Sequence, residues 1–311
     1  MSGPADAYVL AVDHRNSLRN WYLASTGASA VDAAVLRAAK VVVAEGLLAA
    51  LSDPGLAGGG QPMLLADEEY GTDAIRTVRA AAAGVTIVVP AERSGEPEFS
   101  FEHGTEFGPH ILATGPDIVK ALVRYNPASN KERNSRSRAG LARLARWLDD
   151  HGLPLMLELL VPPEPARAQP QAAFDAGPRH RLTLAAIGEL REAGLSPAYW
   201  KVENQPSAAA YTELAWATGG ARCLVLGRGE DADAVSGWVA AAAAAEGFGG
   251  FAIGRTIWAS ELAGWLNGRT DHAAAVAAIA ANYLHFTGIY RKNRRGWSDD
   301  ADVQAGSFEP G

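Results

Sequence analysis

The chain has 311 residues, 48% hydrophobic and 20% charged, which is ordinary globular material with enough length for a large core in one or two domains. A formal charge of −7 and a sequence pI near 5.5 argue against a nucleic-acid partner, and the one concentrated basic run, Arg291-Lys292-Asn293-Arg294-Arg295, reads as a solvated helix end. The single cysteine, Cys223, excludes an intrachain disulfide framework and a thiolate metal cluster.

The N-terminus has neither the basic start nor the apolar centre of a signal peptide. The alanine-rich stretches are broken by Glu246, Asp271 and His272, so no apolar run of spanning length is expected. These features predict a cytoplasmic protein with no membrane partner.

Residues 1–7 read as a loose leader. Tyr8 to Asp13 reads as a strand buried on both faces, and Val31, Val35, Ala38, Val42, Leu47, Leu48 and Leu51 mark a helix over 31–51. Met63 to Asp67 is the second strand, followed by a helix over 73–83; Val85 to Pro90 is the third. A long polar insertion, 91–115, then leads to the fourth strand, 118–125. Loops of that length are usually functional or mobile. A basic amphipathic helix over 129–151 precedes the fifth strand, 153–161, and a proline-rich loop runs to about residue 178. A helix over 181–194 leads to the sixth strand, 199–204. A helix over 207–218, a strand over 222–229, a helix over 231–246 and a strand over 250–255 complete the alternation. Helices over 260–267 and 271–292 close the domain, which is predicted to span 1–293, with a polar, flexible tail over 294–311.

Eight buried strands alternating with helices predict a (β/α)8 TIM barrel. A doubly wound open sheet is the alternative, but no dinucleotide-binding glycine pattern follows the first strand.

The sixth strand carries a lysine inside an apolar run, Tyr199-Trp200-Lys201-Val202-Glu203-Asn204. The chain holds only five lysines, Lys40, Lys120, Lys131, Lys201 and Lys292, so a lysine in a buried strand asks for an explanation. One explanation is a stem that packs while its head reaches water. The other is a need for an amine, which can be deprotonated and made nucleophilic as a guanidinium cannot. In a barrel of this kind the chemistry gathers at the C-terminal strand ends. Lys120, Glu158 and Lys201 fall on strands 4, 5 and 6, which are neighbours around such a barrel. An amine that attacks a ketone, a carboxylate that moves the protons and a second cation that favours the neutral amine make a coherent set. The alternative is a buried ion-pair network that only holds the barrel together.

Gly254-Arg255 after strand 8 and Gly227-Arg228-Gly229 after strand 7 read as a phosphate cradle, since barrel phosphate sites commonly follow strands 7 and 8. Asp13-His14-Arg15 reads either as groups that position sugar hydroxyls and assist acid–base steps or as an ion pair at the rim. His103 and His110 lie in the long insertion with no His-x-His or His-Glu pattern and read as polar loop residues, so no metal site is expected. There is no G-x-S-x-G, P-loop or H-E-x-x-H pattern.

Taken together, Ala11-Val12-Asp13-His14-Arg15-Asn16-Ser17-Leu18, Val119-Lys120-Ala121-Leu122, Leu157-Glu158-Leu159, Trp200-Lys201-Val202-Glu203 and Ala252-Ile253-Gly254-Arg255-Thr256-Ile257-Trp258 resemble the class I aldolases that include tagatose-bisphosphate and sulfosugar-phosphate aldolases. The likeness is greater to the aldolase-like domain fused to the sugar kinase of inositol catabolism. These pieces run from residue 8 to about residue 260. The resemblance implies a TIM barrel that needs no metal and no cofactor. It implies Lys201 as the Schiff-base lysine, Glu158 as the acid–base residue, Lys120 as a support for proton transfer, and Gly254 and Arg255 as the phosphate holders. His14 and Asn16 stand where the tagatose-type pattern has a glutamine and a glycine, which places the chain nearer the inositol-type domain.

The expected function is therefore a class I aldolase, a carbon–carbon lyase. It would cleave a phosphorylated keto sugar or keto sugar acid, with 2-deoxy-5-keto-gluconate 6-phosphate favoured, to dihydroxyacetone phosphate and an aldehyde. Catalytic residues are Lys201, Glu158, Lys120 and Asp13, and substrate is held by Arg15, Gly227, Gly254 and Arg255. A homo-oligomer is expected. The competing readings are a tagatose- or sulfosugar-type aldolase, an isomerase using Glu158 as a carbon base, and a barrel that binds a sugar phosphate without turning it over.

Overall fold

The structure is a computed structural model that describes residues 5–56, 59–82, 84–164 and 171–294. Eight parallel strands close on themselves in chain order: β1 (Ala7–Ala11), β2 (Gln61–Leu65), β3 (Thr86–Pro90), β4 (Ile118–Arg124), β5 (Leu155–Leu160), β6 (Tyr199–Val202), β7 (Arg222–Leu226) and β8 (Phe248–Ile253), with β8 paired to β1. This is the predicted (β/α)8 barrel. The expected tail over 294–311 and the centre of the proline-rich loop lie outside the described residues, Arg294 excepted.

The strands are apolar on both faces because each has two packing partners. One set of alternate residues fills the barrel interior: Ala7, Val9 and Ala11 of β1, Met63 and Leu65 of β2, Val88, Ile118, Met156, Leu224 and Ala252. The other set points outward and packs under the helices. The inward parity carried toward the C-terminal end passes through Asp13, Lys120, Glu158, Lys201 and Gly254, so the apolar floor gives way to charge at one level.

Most long helices start on a side chain that accepts from their free N–H groups. Asp32 caps α2 (Ala33–Ala50), Asp67 caps α3 (Glu68–Ala81) and Asn130 caps α5 (Lys131–Asp150). Ser207 caps α8 (Ala208–Ala217), Asp231 caps α9 (Ala232–Ala243) and Asp271 caps α11 (His272–Asn293). Helix α7 (Pro178–Glu192) starts on proline, whose missing N–H costs nothing there. Helix α10 (Arg255–Leu266) starts directly at the end of β8.

Four features differ from the sequence expectations. A helix α1 (Asn16–Thr26) follows β1; it buries only Leu18 and Tyr22, too few positions to show a helical stripe. Ala7 belongs to β1 rather than to a leader. The insertion is not a plain loop: it forms an antiparallel bridge between Glu92 and Phe101, a 3-10 turn at 104–106 and helix α4 (Phe107–Thr114). The proline-rich loop carries a short helix, α6 (Gln171–Asp175).

Helix α11 corrects a further expectation. Its 22 residues are long and apolar enough, at a mean hydropathy of 1.2, to meet a membrane-span criterion by length and composition. Its apolar side is used against the barrel. Tyr283 and Tyr290 are fully buried, Tyr283 donates to the backbone oxygen of Tyr8, and Ile279 fills the space over Gly46 of α2.

Candidate active site

The charged level sits above the apolar floor at the C-terminal end of the barrel. Strand register sets Glu158 directly opposite Lys201, while Lys120 lies two residues below Leu122, the partner of Glu158. One carboxylate oxygen, Glu158 Oε2, therefore meets Lys201 Nζ at 3.0 Å and Lys120 Nζ at 2.9 Å. Lys120 also donates to Asp13 Oδ2 at 2.9 Å and to Glu92 Oε1 at 2.8 Å. The four residues expected to be catalytic are thus one connected cluster, with Lys120 fully enclosed and Lys201 5% exposed.

Burial of Lys120 would by itself lower its pKa, but Asp13, Glu158 and Glu92 outweigh it and raise the ammonium well above the ordinary lysine range. Lys120 is therefore a permanent cation. Burial works to raise the Asp13 and Glu158 carboxyls, and Lys120 followed by Lys201 reverses it, holding both below their ordinary values. Both are carboxylates at neutral pH.

Glu92 was not among the sequence candidates. Its second oxygen accepts from Leu122 N at 3.1 Å, and it contacts Arg15 at 3.3 Å. Its position two residues after β3, at the head of a polar insertion, resembles a solvent charge in the sequence. The bridge to Phe101 turns it inward.

A cavity of about 420 Å³ opens over Glu158 and Lys201. His14, Ser17, Arg124, Glu203, Gly227, Arg228, Gly254 and Arg255 line it with them. Gly227, Gly254 and Arg255 thus lie on the cavity wall. Arg15 is not on that wall: its guanidinium is buried behind Lys120, donating to Glu102 Oε2 at 2.6 Å and to the Glu92 backbone oxygen at 2.8 Å. Through Glu92 it braces one of the carboxylates that hold Lys120.

Gly254 leaves no room for a side chain, since a Cβ there would lie 2.6 Å from Ala11 O and 2.7 Å from His14 Cε1. That closeness seats the start of α10 against β1, so the helix end opens into the cavity. Arg255 spends one N–H on the backbone oxygen of Arg228 at 2.8 Å, while its buried Nε has no hydrogen-bond partner. Arg228 has a left-handed backbone, φ 53°, and pairs with Asp175 of α6 at 2.8 Å. Glu203 accepts from Val161 N at 2.9 Å and from Arg179 at 3.1 Å, tying β5, β6 and α7 together at the rim.

On the far side of the rim, Glu68, His103 and His110 come together from two segments, a grouping no local sequence pattern announces.

Among the solved structures that resemble the chain are these three. Cgl0159 from Corynebacterium glutamicum (Brevibacterium flavum) matches at 19% identity over 90% of this chain and 86% of that one, with a TM-score of 0.56. An archaeal fructose 1,6-bisphosphate aldolase matches at 15% identity over 90% and 94%, TM-score 0.54. A Schiff-base-forming fructose-1,6-bisphosphate aldolase, solved with reaction intermediates, matches at 16% identity over 89% and 94%, TM-score 0.52. At these identities the likeness speaks for the barrel alone. No curated protein matches by sequence. Residues 2–294 match one family model, and the chain belongs to the family described as "Uncharacterized protein conserved in bacteria (DUF2090)".

Proposed function

We propose that the protein is a class I aldolase that cleaves a phosphorylated keto sugar or keto sugar acid through a Schiff base on Lys201. The observation that carries this reading is the contact of Lys201 Nζ with Glu158 at 3.0 Å, beneath an open cavity. An amine and a proton carrier in hydrogen-bond reach are the two groups imine chemistry requires.

The neutral Lys201 amine forms a C–N bond with the ketone carbon, and the carbonyl oxygen takes up one proton from solvent in the open cavity. Glu158 accepts a proton from the adduct nitrogen and returns it to the hydroxyl, which leaves as water and gives the iminium. A carboxylate, Glu158 or Asp13, then takes the proton from the hydroxyl on the far carbon of the bond to be cut, the one that becomes the aldehyde. The C–C electrons move into the iminium, leaving an enamine and releasing an aldehyde. Protonation of the enamine and hydrolysis free the ketone fragment. Lys120, its ammonium held by Asp13, Glu92 and Glu158, keeps Glu158 and Asp13 ionised at the start of the reaction and beside the amine.

Arg255, with its unpartnered Nε, and the N-terminus of α10 at Gly254 suit a phosphate oxyanion. We assign 2-deoxy-5-keto-gluconate 6-phosphate as the favoured substrate, dihydroxyacetone phosphate as the ketone product and the inositol-catabolism aldolase-like domain as the functional relative. The resemblance of the site motifs supports that assignment, with tagatose bisphosphate and a sulfosugar phosphate as the alternatives.

Borohydride reduction in the presence of dihydroxyacetone phosphate or a ketose phosphate should add one triose or ketose mass to the peptide containing Lys201. Lys201→Ala should abolish both trapping and turnover. Failure to trap any of the three sugar phosphates, with the Lys201→Ala protein behaving like its parent, would sink the proposal. The substrate panel ranks the three.

A further inference from the structure

Glu68 is the first residue of α3, just above β2; His103 precedes the 3-10 turn of the insertion and His110 lies in α4. Glu68 Oε2 lies 3.3 Å from His103 Nε2 and 3.1 Å from His110 Nδ1. The two imidazoles stack with centroids 3.5 Å apart and planes 1° from parallel. All three donor atoms fall within 4.8 Å of one another, and no other group of three His, Cys, Asp or Glu does so among the described residues.

Two imidazole nitrogens and one carboxylate oxygen are the donor set of a first-row divalent ion, zinc above all, whereas calcium and magnesium prefer oxygen alone. Ligands about 2.0–2.1 Å from a tetrahedral ion stand roughly 3.3 Å apart, which is the spacing from Glu68 to each histidine. The parallel rings must splay for both lone pairs to face one ion. Both side chains are partly exposed, at 32% and 45%, so they can turn without repacking the core.

We propose that Glu68, His103 and His110 form a zinc-type metal site, with water in the remaining position. The ion would clip the β2–α3 turn to the insertion that carries Glu92 and Glu102. The site is separate from the cavity and does not depend on Schiff-base chemistry.

The test uses tag-free, chelator-stripped protein titrated with Co²⁺ and then Zn²⁺. Expected are one equivalent of Co²⁺ with visible d–d absorption and its displacement by Zn²⁺. Zn²⁺ should also protect the insertion from proteolysis. His103→Ala and His110→Ala should each weaken binding at least tenfold with unchanged circular dichroism. His272→Ala, at an exposed His–Glu pair on α11, should bind as the parent does. No saturable binding of either ion by the parent, or binding that survives both His103→Ala and His110→Ala, overturns the proposal. Trapping on Lys201 is read separately and is untouched by either outcome.

Discussion

His14 stands between the Lys120–Glu158–Lys201 cluster and the outer helices. Its ring meets Trp258 edge to face at 5.4 Å, its Nδ1 lies 4.0 Å from Asp13, and its backbone oxygen accepts from Lys40 at 2.9 Å. Burial pushes the imidazole down to about 4, against the pull of Asp13 and with help from Arg255, Lys201 and Lys40. The ring is therefore neutral at pH 7 and adds no charge beside Asp13. The unfolded chain binds a proton near pH 6.5 that the folded chain refuses until about pH 4. Stability from His14 is thus complete above the unfolded value and lost as pH falls through that window. The depressed carboxyls of Asp13 and Glu158 are lost only as pH falls below the ordinary carboxylate range, so they overlap little. Denaturant unfolding should show a loss of about 2 kcal/mol between pH 7 and pH 4.5, and His14→Asn should flatten the profile. An equal slope in the variant would count against this account.

At the scale of the elements, the long insertion shows where the sequence was readable and where it was not. The strands were legible because burial on both faces leaves uninterrupted apolar runs such as Val85 to Pro90. The cluster of Lys120, Glu158 and Lys201 was legible because charge inside such runs is conspicuous. Glu92 was not, since a carboxylate among polar loop residues looks the same whether it faces water or a lysine. The insertion's fold was hidden for a similar reason: its apolar residues Phe99, Phe101 and Phe107 follow no period. They pack as a ladder. Phe107 stacks on Phe101 at 4.1 Å and meets Trp147 of α5 edge to face at 5.4 Å, with the Arg143 guanidinium 5.1 Å above Phe107. Phe107→Ala should cost about 3 kcal/mol in denaturant unfolding and raise hydrogen exchange over 92–106. An insertion whose exchange is unchanged in that variant would show that the ladder does not hold it.

At the scale of the whole molecule, closing the barrel depends on the seam between β8 and β1. Gly250 faces Ala7 there with φ 132°, and a Cβ would fall 1.8 Å from the Ala7 backbone oxygen. Outside the seam Tyr8 stacks on Phe251 at 5.3 Å. Gly250→Ala combines backbone strain with a clash that only separation of the two strands relieves. It should cost at least about 2 kcal/mol by thermal or denaturant unfolding; a variant as stable as the parent would refute the close approach. The scarcity of lysine has a practical side as well. Lys40, Lys120 and Lys201 are buried, while Lys131 and Lys292 lie exposed, on α5 and α11. Among the lysines, bulky amine-reactive dyes or resins would reach chiefly those last two and leave the buried Lys201 untouched. On the proposed chemistry, a small carbonyl reagent admitted by the cavity would instead mark Lys201.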